Sequence, residues 1–363
     1  MEVRNIIEKE ELSKEDIITL LRSEGDDREI LFLKSGKIRD EYTGKKVWLR
    51  GLIEFSSICS KNCLYCGIRK GNRNIIRYNL TDEEILKAAA FAFEVGFGSI
   101  ALQSGELESK TFTNRIESLI RNIKSLSGGK LGITLSVGEQ EEEVYQKWFD
   151  AGAHRYLLRM EATNPGLYRK IHPRDTRHDF SRRLKCLESL KNIGYQTGTG
   201  VMIGLPFQTY EDLAGDLLFM KEFDIDMCGM GPYIEHADTP FIEYSSRLPS
   251  LAERLDLSLK MISVLRLIMK DINIVASTAL QSIDPEGREK AIRIGANIIM
   301  PNITPGNYRD SYKLYENKPR SCDSADDCLV SFEEKMRAEG IEVIYGEWGD
   351  PKHYFKRMTG EER

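Results

Sequence analysis

The sequence predicts an α/β fold, a (β/α)8 barrel of the TIM type with an N-terminal helical cap and a C-terminal extension. Three observations predict it: a length of 363 residues, eight short β-rich runs, and amphipathic helical patterns between those runs. Several helical patterns end at a glycine just before the next strand (Gly96, Gly152, Gly194 and Gly295), as left-handed C-caps do. A doubly wound open sheet is the alternative, and the count of eight strands favours the barrel.

The composition excludes several classes of protein. Hydrophobic residues make up 41% and charged residues 30% of the chain, which suits a large folded core rather than disorder. Lys and Arg total 52 against 57 for Asp and Glu, so the net charge of −5 predicts no nucleic-acid partner. No apolar run approaches the roughly 18 residues of a membrane span. Nine charged residues among the first 20 predict no secretory leader, hence a cytoplasmic protein without a membrane partner.

The elements follow in order along three predicted segments, 1–46, 47–320 and 321–363. The first segment predicts a helix after the N-cap Ser13 and a second helix over Glu29–Arg39. The predicted strands are Val47–Phe55, Ser99–Gln103, Gly132–Ser136, Arg155–Arg159, Gln196–Met202, Asp226–Gly231, Ile272–Ser277 and Ile298–Met300. The predicted helices between them are Asp82–Gly96, Thr111–Leu126, Glu141–Ala151, Phe180–Ile193, Thr209–Phe223 and Leu251–Met269. The first of these helices has a capping box formed by Thr81 and Glu84.

Three of the seven cysteines directly follow the first strand. Cys59, Cys63 and Cys66 are separated by three and then two residues, so their thiolates can converge in one tight loop. Soft sulfur ligands suit iron–sulfur clusters or zinc. A structural zinc site needs a fourth ligand, and the nearest histidine in sequence is His154. The triad predicts a 4Fe-4S cluster with one open iron. A zinc-binding or cluster-binding scaffold without enzymatic activity is the alternative.

Polar residues also stand at the ends of the following strands, where a barrel of this type carries its active site. Gln103, Ser104 and Glu106 end the second strand, and Ser136 and Glu139 follow the third. Arg159 and Glu161 end the fourth strand on one face, and two opposite charges there must be paired or used. A glycine-rich stretch from Gly198 to Thr209, which contains Met202, lacks the spacing of a phosphate-binding or dinucleotide-binding loop.

The CxxxCxxC loop, with Tyr65 before its last cysteine, resembles the signature of the radical S-adenosylmethionine (SAM) superfamily. That resemblance implies that the open iron binds SAM and that one electron cleaves it to a 5′-deoxyadenosyl radical. It further implies that Tyr65 and the stretch around Met202 contact the adenine, and that Gln103, Ser104 and Glu106 receive the methionyl amine. Ser136, Glu139, Arg159 and Glu161 are expected at the cofactor as well. Arg183, or its neighbour Arg182, is expected to bind the SAM carboxylate through its guanidinium.

Longer motifs resemble the HydE family, whose members mature FeFe hydrogenase and whose relatives are the methylornithine synthase PylB and biotin synthase. These motifs are Ile53-Glu-Phe-Ser56, Asn62-Cys-Leu-Tyr-Cys66-Gly-Ile-Arg69, Leu102-Gln-Ser-Gly-Glu106, Arg155-Tyr-Leu-Leu-Arg159, Gly204-Leu-Pro206, Gly231-Pro-Tyr-Ile-Glu-His236-Ala-Asp238-Thr-Pro240 and Ala296-Asn-Ile-Ile-Met-Pro-Asn302. The resemblance implies a radical reaction on a small, sulfur-bearing, amino-acid-like substrate in a cavity lined by Arg159, Glu161, Thr278, Met300 and Tyr315. It also implies a low-potential electron donor of the ferredoxin or flavodoxin type and, as further partners, other hydrogenase maturases. A PylB-like enzyme with another substrate is the alternative.

Two departures from the HydE pattern bear on function. Some HydE proteins hold a second cluster near the C-terminus, whereas this chain has only Cys322 and Cys328 there, so a surface pair of thiols is expected. Met160 stands where some HydE sequences have histidine, which points to a related enzyme with another substrate.

Several residues are expected to play no part in catalysis. Cys186 and Cys228 are predicted to be buried hydrophobes. His172, His178 and His353 are predicted to lie at the surface, and His236 either braces its loop or takes part in catalysis. The tail from Trp348 to Arg363 is predicted to be a solvated face with one docked aromatic cluster.

Overall fold

Eight parallel strands form the centre of the computed structural model, which describes residues 2–309, 311–316, 318 and 325–360. In chain order the strands are β1 (Lys46–Ser56), β2 (Ser99–Ser104), β3 (Gly132–Ser136), β4 (Arg155–Leu157), β5 (Gln196–Thr199), β6 (Met202–Ile203), β7 (Met227–Cys228), β8 (Gly231–Pro232), β9 (Asn273–Ile274), β10 (Ile298–Ile299) and β11 (Glu342–Ile344). The α-helices are α1 (Glu2–Ile6), α2 (Lys14–Leu21), α3 (Gly25–Thr43), α4 (Asp82–Glu94), α5 (Lys110–Leu126), α6 (Glu142–Asp150), α7 (Pro165–Ile171), α8 (Phe180–Ile193), α9 (Tyr210–Phe223), α10 (Leu251–Ile268), α11 (Thr278–Ile283), α12 (Gly287–Ile294), α13 (Gly306–Arg309), α14 (Ala325–Ala338) and α15 (Lys352–Thr359).

The strands close into a barrel. Their order is β10-β1-β2-β3-β4-β5-β7-β9, and every pairing in it is parallel. The first and last strands of this series meet through a parallel bridge between Val275 and Ile298, with the Asn297 amide donating to the Ile274 carbonyl at 3.0 Å. The predicted (β/α)8 barrel is therefore confirmed, and the open sheet is wrong. Two predicted strands are interrupted, and their continuations β6 and β8 pair with each other beyond the break.

The helices pack on the barrel through the apolar stripes that the sequence pattern contains. In α5, Phe112, Ile116, Leu119, Ile120 and Ile123 are all buried, and their spacing of three or four residues places them on one face. The expected N-cap Ser13 starts α2 and the expected capping box at Thr81 starts α4, and in the structure Ser13 forms a capping box as well. Among the described residues, no helix is both long and apolar enough to cross a bilayer.

The C-terminal extension contributes a strand that the sequence pattern did not reveal. Strand β11 pairs with the first residues of β1, where Lys46 faces Glu342 and Trp48 faces Ile344. Trp48 also pairs with Ile298 of β10, so β11 occupies the other edge of β1, below the start of β2. The division of the chain at residues 46 and 320 stays a prediction.

The tail after β11 closes the N-terminal end of the barrel, which corrects the expectation of a solvated face. The Trp348 ring stacks on His154 with 4.3 Å between centroids, as the expected aromatic docking requires. Asp350 pairs with Arg155, and the Gly349 carbonyl accepts from Arg50 Nη2 at 3.2 Å. Both arginines are almost completely buried at the starts of strands, and buried cations need such acceptors. The tail therefore satisfies charges that the barrel bottom holds.

Candidate active site

The C-terminal ends of the strands surround a cavity of about 320 Å³. Polar, sulfur-bearing and apolar side chains from β1, β2, β3, β4 and the later strands line it. The residues predicted from the sequence that line this one cavity are Cys59, Cys63, Tyr65, Cys66, Gln103, Ser104, Glu106, Ser136, Arg159, Glu161, Arg183, Met202, Thr278, Met300 and Tyr315.

The cysteine loop leaves the end of β1 and packs directly on the end of β2. The Glu106 backbone amide donates to Cys59 Sγ at 3.3 Å, and the Ser60 amide donates back to the Glu106 carbonyl at 2.8 Å. A Cβ on Gly105 would lie 2.4 Å from the Ile58 carbonyl oxygen and 2.7 Å from Cys59 Cβ, so only glycine allows this approach. Burial raises the pKa of the Cys66 thiol to about 12. A metal cation therefore has to displace the proton from this sulfur.

The cysteine loop brings three thiols to the wall of one cavity. Cys59, Cys63 and Cys66 all line it, and soft sulfur ligands suit an iron–sulfur cluster or zinc. A 4Fe-4S cluster binds each cysteine to a different iron, so three cysteines leave one iron open. The loop therefore supplies the ligands that the predicted cluster requires.

A buried network of charges flanks the cysteine loop. Arg183 donates to Glu106 and to Glu139, both at 2.7 Å, and Lys61 lies 2.8 Å from the other Glu139 oxygen. Burial alone would raise the pKa of Glu106, but the charges of Arg183 and Lys61 outweigh it and lower that pKa to about 2. The Glu106 carboxylate is therefore ionised, and Arg183 bonds it inside the protein.

The charge network shows which of the predicted residues face the cavity and which do not. Glu139 is fully buried and does not line the cavity, so its expected direct contact with the cofactor is replaced by contacts to Lys61 and Arg183. Arg183 faces the cavity, whereas Arg182 points outward to Glu108 and Glu141 at 3.0 and 3.3 Å. Of the two arginines, Arg183 is therefore the one placed at the site.

Arg159 and Glu161 form the ion pair that their shared face predicted, at 3.0 Å. Glu161 has a φ of +64°, a left-handed conformation that costs a non-glycine residue energy. Parallel bonding of its backbone to Gly200 and Met202, at 3.0 Å each, holds this conformation. The strained backbone thereby aims a carboxylate into the cavity.

Several residues that line the cavity have a buried polar side-chain atom without a hydrogen-bond partner in the described chain. Among these atoms are Arg159 Nε, Thr134 Oγ1 and Ser277 Oγ. Buried polar groups in proteins are nearly always satisfied, so such atoms in a cavity mark places where a polar ligand bonds. They lie on or after β3, β4 and β9, around most of the barrel mouth.

The remaining predicted residues occupy different walls. Gln103 donates to the Tyr312 hydroxyl at 3.5 Å, and the Ser104 hydroxyl donates to the Gly105 carbonyl at 2.8 Å. Thr278 begins α11, and burial raises the pKa of Tyr315 to about 12, which keeps its phenol protonated. Ser136, Met202 and Met300 contribute lining without a bond that fixes their side chains.

Sequence reasoning missed several residues at this site. Glu54 and Lys318 line the cavity, and Lys318 Nζ donates to Glu54 Oε2 at 2.6 Å. Lys61 lies between Cys59 and Cys63, so its position in the cysteine loop was visible in the sequence. The partners of Glu54 and Lys61 are distant in sequence, so no local pattern shows them.

Two histidines predicted to lie at the surface are instead buried beneath the cysteine loop. His178 Nε2 accepts from the Asn62 amide at 3.0 Å, and its Nδ1 donates to Asp175 at 2.6 Å. His172 Nε2 accepts from the Tyr65 hydroxyl at 3.2 Å. The polar neighbours in sequence suggested exposure, but these long-range bonds satisfy the rings inside. The prediction for His353 as a surface residue without a partner is also wrong, because its ring contacts Asp224 and Asp271 at 2.8 and 3.1 Å.

Other expectations hold or fall outside the described chain. Cys186 and Cys228 are buried, as predicted. His236 is buried and its Nδ1 accepts from the Asp238 amide at 3.1 Å, which supports bracing of its loop. Cys322 lies outside the described residues, as does the side chain of Cys328, so the expected pair of surface thiols stays a prediction.

Comparisons with known proteins agree with this geometry. The family described as the Radical SAM superfamily matches residues 53–220. The [FeFe] hydrogenase maturase subunit HydE of Thermotoga maritima is 47% identical over 290 residues, which cover 80% of each chain. A 3-methylornithine synthase of Methanosarcina barkeri is 30% identical over 86% of this chain and 85% of its own. The crystal structure of methylornithine synthase (PylB) superposes with a TM-score of 0.79 at 27% identity, covering 95% of this chain and 98% of that one.

Proteins of this superfamily are enzymes that use a 4Fe-4S cluster and SAM, and the cysteine loop and polar cavity described above fit both. The identity to HydE covers four fifths of the chain and includes the barrel. The chain belongs to the radical SAM superfamily and, within it, to the HydE family.

Proposed function

We propose that this enzyme acts in assembly of the di-iron site of FeFe hydrogenase, on a small, anionic, sulfur-bearing substrate that resembles an amino acid. The Thermotoga maritima relative is named as a maturase of FeFe hydrogenase, which supports a role in hydrogenase assembly, and it is 47% identical over 80% of both chains. We also propose that the enzyme works in the cytoplasm, beside other maturases of the same hydrogenase.

One observation carries the substrate class. The cavity wall combines the unsatisfied Nε of Arg159, the carboxylate of Glu161 and the unsatisfied hydroxyls of Thr134 and Ser277. A guanidinium binds a carboxylate in a fork, and a carboxylate with nearby hydroxyls binds an ammonium. An amino-acid-like ligand carries both groups, so it satisfies these atoms together.

The residues around the cofactors divide into holding and positioning groups. When bound, the cluster and SAM supply a 5′-deoxyadenosyl radical that abstracts hydrogen. Cys59, Cys63 and Cys66 would hold the cluster, and the Glu106 amide tunes it through its bond to Cys59 Sγ. We assign cofactor contacts to the cavity-facing groups and substrate contacts to the opposite wall. The former are Tyr65, Gln103, Ser104, Glu106, Ser136, Arg183 and Met202, and the latter are Arg159, Glu161, Thr278, Met300 and Tyr315.

The reaction needs one electron from outside the chain. We propose a low-potential donor protein of the ferredoxin or flavodoxin type, because plant-type ferredoxins already operate near about −400 mV. The apolar and buried walls of the cavity keep water from a radical formed within it.

A complementation experiment tests the proposal. A host that makes FeFe hydrogenase but lacks its own HydE is supplied with this chain, and hydrogen evolution is measured. We expect activity to return with the natural chain and with Cys186→Ala, whose thiol is buried away from the cavity. We expect no activity with Cys63→Ala. No recovery with the natural chain, at normal expression, would contradict the proposed role.

A PylB-like amino-acid rearrangement is the second candidate. It is favoured by 30% identity to 3-methylornithine synthase over 86% of the chain and by the TM-score of 0.79 to PylB. The purified, reconstituted enzyme is incubated with SAM, reductant and lysine, an isomer of 3-methylornithine. Because the two isomers have the same mass, the product is separated from lysine by chromatography before mass spectrometry. Formation of methylornithine would favour this candidate over the maturase.

A further inference from the structure

The segment that covers the cysteine loop carries an unusual charge. Between Glu54 and Asp82 the sequence has five cations (Lys61, Arg69, Lys70, Arg73 and Arg77) and no acidic residue, in a chain whose net charge is −5. Lys61 is buried against Glu139, but the others follow the last cysteine. The sequence therefore concentrates positive charge beside the cluster.

This segment lies directly on the cysteine loop. The Lys70 amide donates to the Lys61 carbonyl at 2.8 Å, and the Gly71 amide donates to Asn62 Oδ1 at 2.9 Å. A single layer of chain therefore separates the cysteines from the outside on this side of the barrel. Electron tunnelling falls steeply with distance, so this thin cover is a short route to the cluster.

Arg77 holds the layer in place. Its two terminal nitrogens donate to four carbonyls, those of Ser57, Ile68, Arg69 and Asn72, at 2.6 to 3.1 Å. Asn72 Nδ2 also donates to the Gly67 carbonyl at 2.8 Å. These five hydrogen bonds, four of them from a charged guanidinium, hold the segment in one conformation. The cations Arg69, Lys70 and Arg73, which precede Arg77 in the sequence, are thereby presented in a defined arrangement.

The outer face of this layer combines free cations with exposed apolar side chains. Lys70 and Arg73 are exposed, Arg69 is half-buried, and none of the three has an ion-pair partner among the described residues. Ile76 is 77% and Ile58 40% exposed, and the segments that carry them are joined by a hydrogen bond from the Ser57 amide to the Tyr78 carbonyl. Asp238 is an acidic residue that contacts this segment, and its carboxylate accepts a hydrogen bond from the Asn74 side-chain amide at 2.8 Å. We name Ile58, Arg69, Lys70, Arg73 and Ile76 the cluster-loop patch.

We propose that the cluster-loop patch is the docking surface for an acidic iron–sulfur electron carrier. An apolar centre with free charges at its edge is the usual build of a transient protein interface, and the positive sign selects an acidic partner. An iron–sulfur carrier reaches the low potential that the cluster requires. This inference rests on the proposed need for an outside electron and assigns that step a place on the surface.

The experiment compares charge reversal at this patch with charge reversal at the far end of the barrel. The test variant is Lys70→Glu with Arg73→Glu, and its matched control is Lys130→Glu with Lys352→Glu. Both control lysines are exposed near the N-terminal ends of the strands, and their side chains form no ion pair within the described chain. All proteins carry the reconstituted cluster, and a purified acidic bacterial ferredoxin, reduced and freed of excess reductant, is the electron source.

The quantity measured is the second-order rate constant for cluster reduction, followed by electron paramagnetic resonance after rapid freezing. For the natural chain and the control we expect a rate that falls with ionic strength, as electrostatically steered association does. For the test variant at low salt we expect a rate lower by about tenfold and a weaker salt dependence. Equal rates in test variant and natural chain, or a rate that depends on the patch only with reduced flavodoxin, would overturn the proposal.

Dithionite separates this inference from the proposed function. Dithionite is small and needs no docking surface, and at high ionic strength its own negative charge is screened. Under that condition we expect all three proteins to be reduced by it at equal rates and to release 5′-deoxyadenosine from SAM. Slow reduction of the test variant by dithionite would show a damaged cluster and would overturn the docking interpretation. Absence of deoxyadenosine from the natural chain would contradict the radical SAM activity instead, whatever the rates with ferredoxin.

Discussion

Arg183 and Glu106 lie 2.7 Å apart across the mouth of the barrel and join helix α8 to the loop after strand β2. Arg183 is 7% exposed and also bonds the fully buried Glu139. The same carboxylates are shared with Lys61 of the cysteine loop. One network of buried charges therefore ties four segments of the site together: helix α8, the loops after β2 and β3, and the cysteine loop.

Replacement of Arg183 by methionine is expected to destabilise the protein strongly. Two carboxylates would lose their main cation in a buried place, which costs about 3–5 kcal/mol in free energy of unfolding. Arg121→Met is the control, because its exposed ion pair with Glu117 contributes about 1 kcal/mol or less. Urea denaturation of the two variants and the natural chain measures the difference. Equal losses for both arginines would contradict the network as described.

His178→Leu is expected to weaken binding of the cluster. The substitution leaves the Asn62 amide, between Cys59 and Cys63, without its acceptor, and loss of such supporting bonds lowers metal affinity by about 10–100-fold. Iron retained against a chelator, together with the intensity of the cluster signal, measures this effect. His154→Leu, at the other end of the barrel, should retain iron like the natural chain. Iron retention by His178→Leu equal to that control would show that His178 does not support the loop.

Docking of the tail under the barrel is expected to depend on pH through His353. Burial lowers the pKa of His353, but its bonds to Asp224 and Asp271 outweigh this and raise the pKa from 6.5 to about 9. A raised pKa stabilises the fold below pH 6.5, and this stabilisation is lost as the pH rises through about 9. The difference in unfolding free energy between the natural chain and His353→Gln should therefore be full near pH 6 and vanish near pH 10.

His154→Gln is the control for this pH dependence. Burial lowers the pKa of His154 to about 3, so the native ring is neutral between pH 6.5 and 9. Because the unfolded ring titrates near pH 6.5, substitution of His154 should change stability by a nearly constant amount only above about pH 7.5. A difference for His353→Gln that stays constant from pH 6 to 10 would contradict the charged contact of His353 with its two aspartates.

Local patterns in the sequence were sufficient for the barrel and for most of the cavity wall. Strand and helix alternation predicted that residues such as Glu106 and Arg159 end parallel strands, and the closure of the barrel brings such ends together. The cysteine spacing also identified the loop, because Cys59, Cys63 and Cys66 lie within eight consecutive residues. These features depend on neighbours in sequence or on the symmetry of the fold.

Features that depend on distant partners could not be predicted. His178 was expected at the surface because its neighbours are charged, yet its ring is bonded to Asn62, which lies 116 residues earlier. Glu139 was expected in the cavity, but Arg183 and Lys61 hold its side chain behind the wall. The docked tail has the same origin, because nothing near Asp350 in sequence indicates that Arg155 requires a partner.

The central claim is that Cys59, Cys63 and Cys66 hold a 4Fe-4S cluster that binds and cleaves SAM in this cavity. The most direct test is anaerobic electron paramagnetic resonance of the reconstituted, reduced protein with and without SAM, followed by assay of 5′-deoxyadenosine. The account predicts a 4Fe-4S signal that changes when SAM is added, with deoxyadenosine released, and loss of both in Cys59→Ala. A protein that binds zinc, or a cluster signal unaffected by SAM and unchanged in Cys59→Ala, would contradict it.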